Sequence, residues 1–382
     1  MSIDGLPILI LSGRAPVALD LARCFSKSGA TVYVADSLPI YLCQSSNAVA
    51  KSFKLPSPKF DLDRYKESIL EIISTYQVKL IIPTCEEIFH FAKIIPSLPK
   101  ECTVFSDSFE KLIKLHDKLS FIDWLNELKC KTPKTMLLKS TEDLRQIVES
   151  HGKWLLKPRF SRFADEVIFP ESILTQAKTL DLSRGWIAQE FLTGRHLSSY
   201  SIVYQGKILA HTNYSNPYRF GGGSSLYFKH EQHDEAYSFV ESLVSKIDFH
   251  GQIGFDYVET DNGLFPIECN PRSTSGVHIL KHVEYFSGCF LGTPITLDES
   301  PKSSMIGIGM VGLFVKHLRT SSITRFLKDL LLGKDVIFSL KDLMPFFLIP
   351  FSLLSFFNIA RKHRLTLSEA MTYDIAFNED SK

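Results

Sequence analysis

The chain lacks the features that mark several large classes of protein. Its 43 Lys and Arg residues nearly balance its 42 Asp and Glu residues, and the two signs are interspersed, so we expect no nucleic-acid partner. Its seven cysteines include no C-x-x-C pair, which argues against a zinc site or a disulfide framework and fits a reducing cytoplasm. The opening residues, MSIDGLPILILSG, have no basic region before their short apolar run, so no secretory signal is predicted.

One long apolar run stands near the end of the chain. It covers residues 344–360, MPFFLIPFSLLSFFNIA, and the four residues after it are RKHR. The run is shorter than the roughly 20 residues that a spanning helix needs, and it contains Pro345 and Pro350. We therefore predict a buried pair of short helices that closes the C-terminal end of the fold. Peripheral membrane contact through an aromatic surface is the alternative that stays open, and an integral membrane span is disfavoured.

The first 106 or so residues alternate between strand and helix patterns. An apolar run at residues 7–11 precedes a helical pattern at 17–28 and a second short strand at 31–34. The pattern continues with a helix near 65–76, a strand at 79–82, a helix at 86–95 and a strand at 103–105. This alternation predicts a parallel, doubly wound sheet. A dinucleotide-binding domain with Asp36 on the ribose is disfavoured, because the turn after the first strand has only one glycine, Gly13.

Residues 254–276, GFDYVETDNGLFPIECNPRSTSG, form the most informative segment. Two runs rich in β-branched and aromatic residues flank Asp261-Asn262-Gly263, which is a turn signal, so the segment predicts a hairpin. A three-residue loop with its glycine in the left-handed conformation would set Asp256 directly opposite Glu268. Asn270 would point to the same face, since side chains alternate along a strand.

Two carboxylates and an amide oxygen in one place predict a cation site. Directly opposed like charges are destabilising, and hard oxygen ligands favour magnesium or manganese over zinc. Arg272 follows closely and suits a developing phosphate charge, so the segment points to a metal-nucleotide site. The alternative is an ordinary exposed hairpin with solvated acids, because the register could slip by one residue.

The string IECNPR at 267–272, with an acidic residue on the preceding strand, resembles the metal-binding end of ATP-grasp enzymes. It is similar to the branch that contains the carbamoyl phosphate synthase large chain and biotin carboxylase. The resemblance covers about residues 1–295 and implies a mixed α/β and α+β fold. Its implied parts are a Rossmann-like pre-ATP-grasp domain at 1–106, an ATP-grasp domain at 107–295 and a helical apolar extension at 296–382. Within the ATP-grasp domain, the lid subdomain would span about 130–190 and the metal-binding subdomain about 191–295.

The resemblance implies roles for the hairpin residues. Glu268 and Asn270 would hold magnesium on the ATP phosphates, and Asp256 would occupy the first ligand position. Arg272 would face the transferred phosphoryl group. The cofactors implied are ATP and Mg²⁺ or Mn²⁺, with two ions expected.

The resemblance also implies a nucleotide cleft. Lys118 and Lys157 match the two lysines that reach the phosphates. The residues implied for the adenine-binding hinge are Gln189, Glu190, Phe191 and Leu192. His196 stands near the position where many relatives have an acidic residue for the ribose, so the ribose contact stays open. Residues 158–167 lack the glycines of the usual lid loop, so either the lid is shorter and stiffer or Arg159 and Arg162 serve its closure.

The substrate loop predicted at residues 213–224 combines three glycines with an arginine and aromatic residues. Arg219 could clamp a carboxylate, and Gly222 would let the backbone approach a ligand closely. The other candidate substrate contacts are Glu86, Ser273 and His278. Glu86 could equally be an acid that stabilises a helix N-terminus, and His278 could equally be packed at a helix start.

We predict an ATP-dependent ligase that activates a substrate carboxylate as an acyl phosphate for attack by an amine, with release of ADP and phosphate. The predicted catalytic residues are Arg272, Lys157 and Arg219. The partners expected are a small-molecule carboxylate and an amine, in the cytoplasm, and a homodimer is left open. A bicarbonate-activating enzyme of the carbamoyl phosphate or carboxylase type is the first alternative, although the chain has one grasp unit and no biotinyl-lysine carrier. A regulatory nucleotide-binding protein without turnover is the second.

Overall fold

The computed structural model describes residues 3–150, 153–161, 166–176, 180–220, 224–295, 303–317 and 323–378. Its first sheet is parallel and has five strands in the order β3-β2-β1-β4-β5. These strands are β1 Pro7–Leu11, β2 Thr31–Asp36, β3 Lys51–Lys54, β4 Leu80–Ile82 and β5 Thr103–Val104. The helices that connect them are α1 Pro16–Lys27, α2 Leu62–Tyr76 and α3 Glu87–Ile94. The doubly wound arrangement predicted from the alternating pattern is confirmed.

The turn after β1 serves packing rather than a dinucleotide. Asp36 at the end of β2 is fully buried, and its carboxylate accepts hydrogen bonds from the backbone amide and the guanidinium of Arg14 at 2.6 to 3.1 Å. Asp36 is therefore buried in an ion pair with Arg14 rather than presented at the surface of the turn.

Two helices lead from this domain into a small antiparallel sheet. The helices are α4 Phe109–His116 and α5 Lys118–Glu127. The sheet has the order β6-β8-β7, from β6 Thr135–Leu137, β7 Trp154–Pro158 and β8 Trp186–Glu190. Helix α6 Thr141–Glu149 and the single turn α7 Ile173–Gln176 cover it. Ser140 begins α6 with a capping box: its hydroxyl accepts a hydrogen bond from the Asp143 amide, and the Asp143 carboxylate accepts one from the Ser140 amide.

The largest sheet has seven strands in the order β15-β14-β9-β10-β13-β16-β17. Its strands are β9 Arg195–Tyr204, β10 Lys207–Ser215, β13 Tyr227–Glu231, β14 Gly251–Thr260, β15 Gly263–Asn270, β16 Ser304–Met305 and β17 Lys334–Asp335. A separate two-stranded ribbon pairs β11 Arg219–Phe220 with β12 Ser224–Ser225. Helix α8 Asp234–Lys246 packs Val240 and Leu243 onto one face, against Ile253 and Phe255. The single turn α9 Val277–Leu280 lies on the opposite side, in the core shared with the first sheet.

The hairpin of β14 and β15 has the predicted register for an unpredicted reason. Asp256 pairs with Glu268, as expected. However, Thr260 pairs with Gly263, so the turn has two residues rather than three. A bulge between the Asp256 and Tyr257 pairs leaves Ile267 as the extra residue in β15, which restores the register.

The C-terminal part differs from the helical extension expected at 296–382. Strands β16 and β17 add to the large sheet, and the helices are α10 Gly307–His317, α11 Ile323–Leu332, α12 Met344–His363 and α13 Leu367–Thr372. The prediction of a buried pair of short helices is wrong, because α12 is one continuous helix of 20 residues. Pro345 falls in its first turn, where a proline loses no hydrogen bond. Among the described residues, α12 alone is long and apolar enough to cross a membrane, and 22% of its most apolar window is buried.

The segment after α13 returns to the first domain. Asp374 accepts hydrogen bonds from Arg14 at 2.6 Å and from Ser37 at 2.6 Å, and Phe377 packs on Phe89. The C-terminal part is therefore joined to the Rossmann-like domain through a buried ion pair as well as through apolar contacts.

Candidate active site

The acids of the hairpin lie side by side, as their register requires. The Asp256 carboxylate accepts from the Ser198 hydroxyl at 2.7 Å and from the Asn270 amide nitrogen at 3.3 Å. Burial and the nearby Glu268 carboxylate raise the pKa of Asp256. Two carboxylates in such an environment favour either a proton or a cation between them.

Two buried lysines approach the same acids, Lys118 from the start of α5 and Lys157 from β7. Lys118 and Lys157 are only 2% and 4% exposed. The ammonium of Lys118 lies 3.5 Å from Glu268 Oε1 and donates to the Ser161 carbonyl at 3.0 Å. Lys157 donates to the carbonyl of Ile267 at 3.2 Å, so the bulge supplies a backbone acceptor for it. Burial lowers the pKa of Lys157 to about 8, with Lys118 adding to the effect and Glu268 opposing it.

Arg272 joins the hairpin to the first domain. Its Nε donates to Glu86 Oε1 at 2.8 Å, and its other nitrogens donate to Asn270 Oδ1 at 3.1 Å and the Ser273 carbonyl at 3.2 Å. Burial alone would lower the pKa of Arg272, but the Glu86 carboxylate outweighs it and the pKa is raised. Glu86, expected as a substrate contact, is buried and serves as the anion that orients Arg272.

A second ion pair sets the position of Lys118. Asp117 begins α5 as its N-cap, with its carboxylate accepting from the Leu119 amide. Arg159, the residue after β7, donates from Nε to Asp117 Oδ1 at 3.0 Å, and its carbonyl accepts from the Lys118 amide at 3.2 Å. Burial raises the pKa of Asp117, but the hydrogen bonds from Arg159 and Ser120 outweigh it and lower the pKa. Arg159 is thus paired with protein, and Arg162 lies outside the described residues.

The strand end predicted as the adenine hinge has most of its polar groups occupied. The amides of Glu190 and Phe191 donate to the carbonyls of Lys134 and Lys153 at 2.8 and 2.7 Å. The buried side chain of Gln189 donates to the Thr135 hydroxyl at 3.0 Å. Among the described residues, the amide of Leu192, the last residue of the predicted hinge, makes no backbone hydrogen bond.

Two further predicted residues lie near the acids and are open to solvent. Arg219 in β11 and His196 in β9 are both exposed. The part of His196 that the protein does cover lowers its pKa by desolvation, and the positive charge of Arg219 lowers it further. The same guanidinium is close enough to Asp256 to oppose the rise in its pKa. Gly222, from the same loop, lies outside the described residues.

Two predicted substrate contacts are buried instead and bind other side chains of the protein. The Ser273 hydroxyl donates to Gln252 Oε1 at 2.6 Å. His278 Nδ1 lies 2.7 Å from Asp20 Oδ2, and Lys281 also forms an ion pair with Asp20. The structure therefore reassigns Ser273 and His278 from the substrate rim to the packing beneath it, which is the helix-start alternative for His278.

Some site residues have no signal in the local sequence. Ser198 binds Asp256 because β9 pairs with β14, and that pairing joins segments 58 residues apart. Asn216 donates to Ser198 at 3.3 Å, and its own Oδ1 is buried without a partner among the described residues. Asn216 belongs to the predicted substrate loop, whereas only a prediction of the strand order could have found Ser198.

The donor set fits a metal ion held on phosphates rather than a closed protein cage. No group of three or more His, Cys, Asp and Glu side chains in the described ranges could hold a metal. Asp256, Glu268 and Asn270 offer two carboxylates and one amide. Magnesium commonly takes one or two carboxylates and completes its shell with water and substrate phosphates. The side-chain oxygen of Asn270 accepts a hydrogen bond from Arg272 here, and it would turn toward the ion when a metal binds.

The fold and the site together place buried lysines opposite a hairpin of acids, in two subdomains that follow a Rossmann-like domain. Residues 115–276 match the family model described as the ATP-grasp domain. The chain therefore contains an ATP-grasp domain, which includes every proposed phosphate and metal residue.

Solved structures share this fold at low sequence identity. N5-carboxyaminoimidazole synthetase from Staphylococcus aureus superposes with a TM-score of 0.62 at 14% identity, covering 84% of this chain and 87% of its own. The biotin carboxylase domain of 2-oxoglutarate carboxylase from Hydrogenobacter thermophilus gives 0.60 at 13% identity, covering 78% and 73%. L-amino acid ligase from Bacillus licheniformis gives 0.56 at 13% identity, covering 75% and 74%. No curated protein sequence matches the chain significantly.

Proposed function

We propose that the chain is an ATP-dependent ligase that phosphorylates a substrate carboxylate and joins the activated acyl group to an amine, with release of ADP and phosphate. The observation that carries this proposal is the convergence of buried Lys118 and Lys157 on Asp256 and Glu268. Burying two ammonium groups is costly unless an anion compensates them. Two carboxylates compensate them here, and a polyphosphate with its metal ion would replace that arrangement on binding.

The chain contributes positioning and charge. Lys118 and Lys157 would hold the phosphates, and the Leu192 amide would meet the adenine edge. Asp256, Glu268 and Asn270 would hold Mg²⁺, which supplies charge neutralisation on the phosphate oxygens when it is bound. Arg272, oriented by Glu86, would face the negative charge that develops during phosphoryl transfer.

Arg219 supports the assignment of the substrate side. It is exposed, lies within electrostatic range of Asp256, and comes from the loop between β10 and β13. A guanidinium in this position would bind the substrate carboxylate bidentately and hold it near the phosphates. The amine would then attack the activated carbonyl carbon, and phosphate would leave.

A bicarbonate-activating reaction is the second candidate. The neighbour from Hydrogenobacter thermophilus was solved with Mg-ADP and bicarbonate, and it shares the fold of this chain. Bicarbonate is itself a small carboxylate, so Arg219 and Arg272 could serve it by the same charge complementarity.

Binding of Mg-ATP tests the phosphate and metal residues. We expect Mg-ATP to raise the melting temperature of the protein and the Glu268→Gln variant to lose this shift. Glu259→Gln is the matched control, because Glu259 lies on the same hairpin but pairs with Arg195 and His233 at the surface. If Mg-ATP raises the melting temperature of the Glu268→Gln variant as much as that of the wild type, the proposed metal site is wrong.

ADP release with a panel of acids and amines tests the reaction. A carboxylate-amine ligase releases ADP with its acid alone or with its acid and amine together. Release that depends on bicarbonate alone supports the second candidate. Mg-ATP binding without ADP release across the panel would leave the non-catalytic nucleotide-binding protein as the better account.

A further inference from the structure

Helix α12 carries one apolar stripe that the fold uses. Its buried residues Pro345, Ile349, Ser352 and Phe356 recur every three or four positions and therefore lie on one side of the helix. Ile349 and Phe356 belong to the core shared with the Rossmann-like domain, and the helix packs on the 3₁₀ helix Leu42–Ser45. This side ties α12 firmly to the rest of the fold.

The opposite side is also apolar, and nothing in the described chain covers it. Phe347, Phe351, Leu354 and Phe357, here called the exposed stripe, are 58%, 54%, 56% and 55% exposed. Their spacing of four, three and three residues keeps them on one side of the helix. Exposed Leu340 and Met344 extend the apolar surface at the N-terminal end of the helix. Contiguous exposed apolar surface of this kind marks an interaction site.

The charges of α12 are all of one sign. Arg361, Lys362 and Arg364 follow the exposed stripe and are themselves exposed, whereas residues 344–363 contain no Asp or Glu. Arg361 comes four residues after Phe357, so it continues the same side of the helix. The surface therefore offers apolar side chains followed by a cationic end.

We propose that α12 docks on an anionic lipid surface, with the exposed stripe at the boundary between headgroups and acyl chains and the basic end on the lipid phosphates. An aromatic and aliphatic face with adjoining cations is the chemistry of an interfacial helix. A second copy of the chain fits less well, because α12 has no acid to meet the basic end of its partner. A membrane span fits less well too, because it would strip Ile349 and Phe356 from the core.

Vesicle co-sedimentation of the full chain tests this proposal. Vesicles of phosphatidylcholine alone are compared with vesicles that also contain phosphatidylglycerol. We expect binding to the anionic vesicles, and a drop of about tenfold or more when Phe347, Phe351 and Leu354 are all replaced by Ser. The matched control is Leu174→Ser, which removes a side chain that is 66% exposed on a different surface.

The basic end gives an independent readout. Arg361→Gln with Lys362→Gln should reduce binding to the anionic vesicles by about tenfold and leave the weaker binding to neutral vesicles unchanged. Equal sedimentation of the triple Ser variant and the control would overturn the proposal. The proposal would also be overturned if the full chain binds neither kind of vesicle, or if it forms a dimer that the triple Ser variant abolishes. Protein that resists extraction from the vesicles by alkaline carbonate would instead indicate insertion across the bilayer.

Discussion

The ion pair between Glu86 and Arg272 makes the stability of the molecule and the geometry of its site depend on one contact. Replacing Glu86 by Gln keeps the side-chain volume and one acceptor for Arg272 Nε but removes the charge. Breaking a buried pair by removing one partner costs about 3–5 kcal/mol. Arg272 keeps its hydrogen bonds to Asn270 and Ser273, so we expect a loss of about 2–3 kcal/mol in the free energy of unfolding.

Glu87 offers a matched control one residue away. It is as buried as Glu86, and burial raises its pKa. Its carboxylate accepts from the Ser12 hydroxyl and from the amides of Thr84 and Cys85, with no cation bound to it among the described residues. Glu87→Gln removes a charge that burial disfavours and keeps one acceptor oxygen for these donors, so we expect it to cost about 1 kcal/mol or less.

The assay combines denaturant unfolding, followed by circular dichroism, with the kinetics of ADP release. Glu86→Gln should also lower kcat, since Arg272 loses the anion that orients it. A double-mutant cycle with Arg272→Met should show a coupling energy of about 1.5 kcal/mol or more. The reasoning is refuted if the two Gln variants have equal stability and equal kinetics, or if the two substitutions of the cycle are additive.

Three further outcomes follow from single residues. Because Lys157 has a pKa of about 8 and must be cationic to hold phosphate, the affinity for ATP should fall by up to about tenfold per pH unit above that value, and Lys157→Met should abolish this dependence in a binding titration. Burial lowers the pKa of His211 to about 4 in the folded state. As pH falls from 6.5 toward 4, this histidine is therefore protonated in the unfolded state but not in the folded state, and this difference destabilises the fold. Between pH 6.5 and 4 the wild type should therefore lose roughly 3 kcal/mol more of its free energy of unfolding than His211→Gln does. Denaturant unfolding at several pH values measures this, and equal pH profiles of the two proteins would contradict it. A Cβ at Gly276 would lie 2.2 Å from Tyr200 Cβ, so Gly276→Ala should destabilise the protein and displace the segment after Arg272, measured as a lower melting temperature and weaker Mg-ATP binding.

The alternation of strands and helices in the first domain was predictable because each element buries its own apolar run. The strand at residues 7–11 is observed over the same residues, and the predicted helix at 17–28 is observed at Pro16–Lys27. The hairpin register was predictable only in outcome. Its turn is one residue shorter than expected, and the bulge at Ile267 compensates, placing a carbonyl where Lys157 donates to it. Turn propensity acts locally, whereas this bulge serves a contact with a strand 110 residues away.

The order of residues along the chain could not show which side chains face the cleft and which lie beneath it. Ser273 and His278 follow the metal hairpin closely in sequence, yet both are buried and bound to other parts of the protein. Ser198 lies far from the hairpin in sequence, yet it touches Asp256. Direction in space depends on which strand neighbours which, and that is a property of the whole sheet.

Helix α12 shows why composition misled at the C-terminus. A helix that is apolar all round is typical of a buried core element. Prolines within the run also favoured a break, but Pro345 lies in the first turn and Pro350 lies on the exposed side. The basic residues after the run extend the helix to His363 rather than ending it. The fold needs only the side with Ile349 and Phe356, so the apolar residues on the opposite side are not explained by folding. Apolar side chains exposed in this way lower solubility unless a partner covers them, which is the physical reason to seek that partner in a lipid surface.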